Sequence, residues 1–347
     1  MENKACIKDF TLNEIEDLMI QNGFPKYRAL QIFKWLYKDI ERFEQMGNLP
    51  KSIMDFLHKD YYINRAYILE KQVSKDGTIK FLLGLNDGNA VECVLMKYQH
   101  GYSLCISTQV GCRMSCEFCA STVGGLIRNL TSGEMIEEIM AASRDTGISI
   151  SNIVLMGIGE PFDNYDQVIK FLKIVNDKNG LNIGMRHITI STSGVVPNIY
   201  RFADEGIQCT LAVSLHSAIN NKRSELMPIN RKYNVEELIK ACDYYIDKTN
   251  KRVTFEYALI GGVNDSEDDA EALGNLLKNM LCHVNLIPVN PVKGKIFKKA
   301  EDSSIHNFKK IIEKYGINAT IRRELGSDIE GACGQLRKNH ANKRYFE

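Results

Sequence analysis

Apolar residues recur at every third or fourth position through the first part of the chain. Leu12, Ile15, Leu18 and Met19 share one helical face, Ala29, Ile32, Phe33 and Leu36 repeat the spacing, and Ile53 and Phe56 follow Pro50. This predicts short helices between Thr11 and Leu57, the first two parted by Gly23-Phe24-Pro25. The period then drops to two. Ala66 to Val73, Thr78 to Leu85 and Ala90 to Tyr98 read as strands, with hairpin turns at Asp76-Gly77 and Asn86-Asp87-Gly88, so they form an antiparallel meander. After His100 the pattern becomes strand, loop, helix, repeated. Strands are predicted at Ser103 to Ser107, Asn152 to Met156, His187 to Ser191, Cys209 to Leu215, Arg252 to Leu259 and His283 to Pro288. Helical spacing falls between them, first from Ser132 to Ser143 behind the cap signal Thr131-Ser132-Gly133-Glu134. Six such β/α units predict a parallel sheet curled into an incomplete barrel, with its chemistry on the loops after the strand C-terminal ends.

Polar residues do gather at those ends. The first strand runs into Cys112, Cys116 and Cys119, the second into Gly157-Ile158-Gly159-Glu160-Pro161, and the third into Ser191-Thr192-Ser193-Gly194. The fourth ends Val213-Ser214-Leu215-His216, the fifth leads to Gly261-Gly262-Val263-Asn264-Asp265, and the sixth to Asn290-Pro291. Such groups at successive strand ends suit a polar ligand of nucleoside or amino-acid type. Three thiols at C-x₃-C-x₂-C spacing bind a soft metal centre. Two forms fit: a four-iron cluster with one iron left open, or a zinc knuckle with a distant fourth ligand. No strand-to-helix turn carries G-x-G-x-x-G or a Walker loop, which excludes the common dinucleotide and P-loop sites.

Composition narrows this further. At 347 residues, 44% hydrophobic and 25% charged, the chain has the balance of a soluble protein with a substantial core and room for more than one domain. It has no run of eighteen apolar residues, and the charged segment Met1 to Asp9 lacks a signal-peptide core, so a cytoplasmic protein without membrane association is expected. In a reducing compartment ten cysteines point to metal or redox chemistry rather than a disulfide framework, and Cys209, Cys242 and Cys282 read as small core residues. The net charge of +1 marks no nucleic-acid binder by itself, and Lys26, Arg28, Lys34 and Lys38 on the first helices are nearly balanced by acids. Three residues look unremarkable alone: Glu92 faces outward by strand alternation, Cys105 lies in an apolar strand, and Cys333 sits in a Gly-rich tail.

The cysteine loop after the first strand, with Gly-Glu-Pro after the second, resembles the radical S-adenosylmethionine (SAM) superfamily. More narrowly, the chain from its N-terminal helices to Gly331-Ala332-Cys333-Gly334-Gln335-Leu336 resembles the RlmN/Cfr family of radical SAM RNA methyltransferases. The resemblance implies an α/β fold: a partial (β/α)₆ radical SAM barrel over residues 100–300, a helical RNA-contacting domain over 1–62, a β meander over 63–99 and a C-terminal extension over 301–347. It implies a [4Fe-4S] cluster on Cys112, Cys116 and Cys119, and SAM, two per turnover, bound by Gly159, Glu160, Ser191, Ser214, Leu215, His216 and Asn290. It casts Cys333 as the residue that accepts a methyl group, Cys105 as its disulfide partner and Glu92 as a base.

The implied partners are 23S rRNA, transfer RNA and an electron donor such as flavodoxin or ferredoxin, for a monomeric enzyme. Arg322, Arg323, Arg337, Lys338, Lys343 and Arg344 join the N-terminal helices as candidate phosphate contacts. Gly159 to Pro161, Ser191 to Gly194 and Asn290-Pro291-Val292 are more similar to the branch that methylates adenine carbon 2 than to the antibiotic-resistance branch acting on carbon 8. Ile158 stands where that family usually has Met, and Ala120-Ser121-Thr122 where it usually has Ala-Thr-Gly. A carbon-8 methyltransferase and a zinc-stabilised RNA-binding module are the alternatives.

Overall fold

The computed structural model describes residues 4–99, 101–289, 296–323, 325–326 and 328–329. Asn290 and Cys333 lie outside them. Helix α1 (Leu12–Gln21) opens on a capping box in which Thr11 accepts from the Glu14 amide and Glu14 reaches back to the Thr11 amide. With α2 (Tyr27–Leu36) and α3 (Lys51–Asp60), which starts after Pro50, it encloses a core of its own that includes Ile15, Met19, Ile32, Phe33, Ile53 and Leu57.

Ten strands then form one sheet in chain order: β1 (Tyr67–Val73), β2 (Ile79–Gly84), β3 (Ala90–Tyr98), β4 (Gly101–Cys105), β5 (Asn152–Leu155), β6 (Ile188–Thr192), β7 (Thr210–Ser214), β8 (Val253–Leu259), β9 (Cys282–Pro288) and β10 (Ala319–Ile321). The pairings up to β3–β4 are antiparallel and all later ones parallel, so the meander continues the barrel sheet as its first strands. Helices α4 (Ser132–Thr146), α5 (Tyr165–Val175), α6 (Val196–Asp204), α7 (Asn220–Leu226), α8 (Val235–Thr249), α9 (Glu267–Leu277) and α10 (Asp302–Lys314) fill the connections. The six expected barrel strands are β4 to β9. Beyond them β10, after α10, adds a further parallel strand against Val284, Asn285 and Leu286.

Two devices fix this frame. The bundle is bolted to α4 by a Lys8–Glu137 ion pair, each side chain 1% exposed. Lys8 Nζ also donates to the Asn64 carbonyl (3.2 Å), and Glu137 Oε2 accepts from the Ala66 amide (3.1 Å). Gly133 allows the approach, since a Cβ there would lie 2.7 Å from Asp9 Oδ1 and 3.0 Å from the Lys8 backbone. At the other end, the chain beyond β10 meets the β1–β2 turn: Gly326 N donates to Asp76 Oδ2 (2.8 Å) and Lys75 N to Asp328 Oδ2 (3.1 Å). The sheet therefore curls until its last strand's exit touches its first hairpin. Among the described residues no helix is long and apolar enough to cross a membrane.

Candidate active site

Strand register sorts the site residues. Residues opposite one another in neighbouring strands point to the same face. Leu104 joins the core that packs with the barrel helices, as do Cys93 and Leu95, so Cys105 and its register partners Val94 and Val154 face the other, concave side. The same parity puts Glu92 there, flanked by core residues Val91 and Cys93. Ser191 is aligned with Ala212 and Thr254, and Ser214 with Glu256 and Asn285, again between core neighbours such as Ile190, Val213 and Phe255. One wall thus carries Glu92, Cys105, Ser191 and Ser214. Glu92 is 3% exposed, not outward-facing as plain alternation suggests, and its carboxylate lies 3.4 Å from the buried Lys80 ammonium.

The cysteine loop leaves a short hairpin in which Gln109–Gly111 pairs with Leu126–Asn129. Its folds are local. Cys112 N donates to Gly125 O (3.1 Å), Cys119 N to Cys116 O (3.1 Å), Thr122 Oγ1 to Cys119 O (3.0 Å), and Ser115 adopts φ 58°. Cys116 packs with Leu226, Met227, Ile260 and Val289, and Met114, Phe118 and Cys119 rest against that group. Burial pushes the Cys112 thiol up to about 12 and raises Cys116 further, so without a bound cation these sulfurs stay protonated.

The loop after β5 presses against the start of this hairpin. A Cβ on Gly159, at φ 111°, would lie 2.7 Å from Gln109 Cβ and 2.8 Å from Thr108 Oγ1, so only glycine fits. Thr108 Oγ1 is buried with no hydrogen-bond partner among the described residues. Glu160, 3% exposed, accepts from Phe162 N (2.9 Å) and Ser193 N (2.6 Å), tying the end of β5 to that of β6. Burial raises its carboxyl above the usual range, and the Ser193 amide works against that rise.

After β7, His216 takes φ 55° and accepts at Nδ1 from the Ala258 amide (2.9 Å). The ring proton therefore sits on Nε2. Burial, then the nearby Arg223 charge, drives its pKa down to about 3. Phe118 from the cysteine loop meets this ring edge-on at 4.7 Å. Asn264, placed by sequence among the ligand-facing loop groups, is a brace instead. It donates to the His216 and Ala258 carbonyls (2.7 and 2.8 Å) and accepts from Ile260 N (2.8 Å).

Comparison with known proteins decides what this wall belongs to. Residues 6–63 match the family model for the ribosomal RNA large subunit methyltransferase N-terminal domain, and residues 106–273 match the radical SAM superfamily. A protein named "Probable dual-specificity RNA methyltransferase RlmN" in Clostridium perfringens is 53% identical over 340 residues, covering 97% of this chain and 98% of its own. One of the same name in Clostridium tetani is 52% identical and matches over the full length of both chains. The chain belongs to the RlmN family of radical SAM methyltransferases. The crystal structure of a radical SAM methyltransferase from Sphaerobacter thermophilus superposes on this RlmN-family chain with a TM-score of 0.90 at 44% identity, covering 95% of this chain and 98% of the other.

Radical SAM membership implies a [4Fe-4S] cluster and SAM, and the residues fit both. Cys116 and Cys119 lie in or against an apolar cluster and Cys112 is buried beside it in the chain, three soft sulfur donors on one loop, and the buried Glu160 carboxylate and unpartnered Thr108 hydroxyl lie close to the cysteine hairpin. Among the described residues no three His, Cys, Asp or Glu side chains converge tightly enough for one ion. A four-iron cluster requires no such convergence, because each thiolate takes its own iron. Sequence reading passed over three buried charges near this wall: Lys80, Glu256 and Arg223. Glu256 had a signal, since an acid at the centre of a parallel strand whose other residues are Val, Thr, Phe, Tyr, Ala and Leu breaks the largely apolar run expected there.

Proposed function

We propose that this protein methylates carbon 2 of adenosine in 23S rRNA and in transfer RNA. What carries the reading is similarity along essentially the whole chain, above 50% identity, to proteins named dual-specificity RNA methyltransferase RlmN. Glu92 and Cys105, which share the concave face of the sheet, support it.

Carbon 2 of adenine lies between two ring nitrogens and is too electron-poor to attack the methyl group of SAM directly. Cys333, as thiolate, takes that methyl in its place, with S-adenosylhomocysteine leaving. Cys112, Cys116 and Cys119 hold the cluster, while Gly159, Glu160, Ser191, Ser214 to His216 and Asn290 hold SAM. Glu160 offers a carboxylate to the methionine ammonium. When bound, the cluster and a second SAM, with one electron from a low-potential donor, would supply a carbon radical able to take a hydrogen atom from the Cys333 methyl group. The Cys333 methylene then bonds to carbon 2. Glu92 takes the carbon-2 proton, and the electron released as the ring is restored would return to the oxidised cluster held by Cys112, Cys116 and Cys119. Cys105 attacks the Cys333 sulfur, so an S–S bond forms as the S–C bond breaks, and the new methylene takes up a proton to become methyl. The neutral His216, with its Nε2 proton, can only donate a hydrogen bond from that nitrogen.

Nucleoside mass spectrometry of 23S rRNA and transfer RNA from a strain lacking the gene tests the reading. Loss of 2-methyladenosine is expected, restored by the wild-type gene and not by Cys333→Ala. Persistence of 2-methyladenosine overturns it, and loss of 8-methyladenosine instead assigns the carbon-8 reaction.

A further inference from the structure

Arg223, on α7, is 0% exposed, and among the described residues every acceptor it reaches is neutral. Its Nε donates to the Leu215 carbonyl (3.1 Å), Nη2 to the Ser193 and Ser214 carbonyls (2.8 and 3.2 Å), and Nη1 to Asn230 Oδ1 (2.9 Å). A buried guanidinium ordinarily faces a carboxylate, because removing its charge from water is costly. Here the fork instead gathers the ends of β6 and β7, where the SAM-side residues lie. Gly194 makes room for it: at φ 108° a Cβ there would stand 3.2 Å from Nη2.

The helix that buries Arg223 also seats the cysteine loop. Glu117 N donates to the Leu226 carbonyl (3.0 Å), and Leu226 and Met227 pack on Cys116. Burial is the largest influence on Arg223 and lowers its pKa to about 10. The compensation missing from the arginine's own hydrogen bonds is what an anionic iron–sulfur–thiolate centre on this loop would supply.

We propose that Arg223 is a positioning residue with two effects: its fork sets the Ser193, Ser214 and Leu215 carbonyls, and its unmatched charge raises the reduction potential of the cluster on the cysteine loop. The inference rests on Cys112, Cys116 and Cys119 holding that cluster. Reduction takes one electron from a one-electron donor and adds one negative charge without making or breaking a bond in the chain. A fixed positive charge in a low-dielectric setting favours the more negative state.

The test is an EPR-monitored redox titration of anaerobically purified holoenzyme with dithionite, comparing wild type, Arg223→Gln, Arg223→Lys and Asn230→Asp. Wild-type protein without iron sinks the cluster assignment itself, a failure visible before any titration. With the cluster present, Arg223→Gln is expected to move the midpoint to a more negative potential. Asn230→Asp keeps the guanidinium and its acceptors but gives it a carboxylate, and should move the midpoint the same way, which a merely structural role would not do. Arg223→Lys retains charge without the fork, so its midpoint stays nearer wild type while SAM affinity falls about tenfold. Wild-type midpoints in both Arg223→Gln and Asn230→Asp overturn the proposal. Should Arg223→Gln fail to load iron, Asn230→Asp decides alone.

Discussion

Lys8 and Arg223 are both sealed from solvent, and their surroundings differ in one respect. Lys8, at the joint between the N-terminal bundle and α4, faces the Glu137 carboxylate. Arg223, behind the cysteine loop, faces carbonyl groups and an amide. The first charge is balanced within the chain, so the joint is complete as folded. The second is solvated by dipoles alone, which suits a place where a ligand brings the opposite charge.

The largest effect expected from breaking this contrast is at the joint. Lys8→Met leaves the buried Glu137 carboxylate with only the Arg144 guanidinium at 3.4 Å and should cost about 3 kcal/mol in urea unfolding. Adding Glu137→Gln should recover more than half of that, because the amide oxygen can still accept from Ala66 N. A double variant no better than the single one would show that the pair is not what joins the two parts. Arg223→Met leaves no stranded charge, only acceptors without a donor, so its cost should be smaller, about 1–3 kcal/mol. A loss equal to that of Lys8→Met would erase the distinction.

A pH series reads the same contrast through His216. Its folded pKa is pushed down from 6.5 to about 3, so between those values the unfolded chain holds a proton that the folded chain lacks. Stability due to this group is whole above 6.5 and declines as pH falls through the window. Wild type should therefore lose thermal stability relative to His216→Gln on acidification, and parallel curves would contradict the assignment. The smallest effect concerns the exposed Asp76–Gly326 contact. Asp76→Ala should leave unfolding within about 0.5 kcal/mol of wild type and iron content unchanged, while turnover on RNA drops about threefold as Gly326 loses its anchor on the β1–β2 turn. Unaltered turnover would assign that contact no part in catalysis.

Much of the frame was legible because each element buries one face. The spacing of Leu12, Ile15 and Met19, the alternation through the meander and the cap at Thr131 all report local burial, and the helices and strands stand close to where those patterns put them. Strand β10 was missed because three residues after a helix carry too short a pattern to distinguish from a tail. Arg223 was hidden for a different reason. Asn220-Asn221-Lys222-Arg223-Ser224-Glu225 reads as a solvated helix, and only the meeting of two strand ends with α7 encloses Arg223. Glu92 needed both kinds of information: alternation gave its parity, and the pairing of β3 with β4 decided which face is inside.

Because the ten strands lie in chain order, β1 and β10 remain the two edges of the sheet. A fully closed barrel admits only a molecule that can pass whole through its end. An unsealed one can take a single unit of a thread while the rest of the polymer stays outside. In this fold the two edges are spanned by a clasp, Gly326 and Asp328 on the turn at Ser74 to Asp76. The bulk of an acceptable substrate is then limited by what surrounds that clasp, and the barrel itself needs room for only one base.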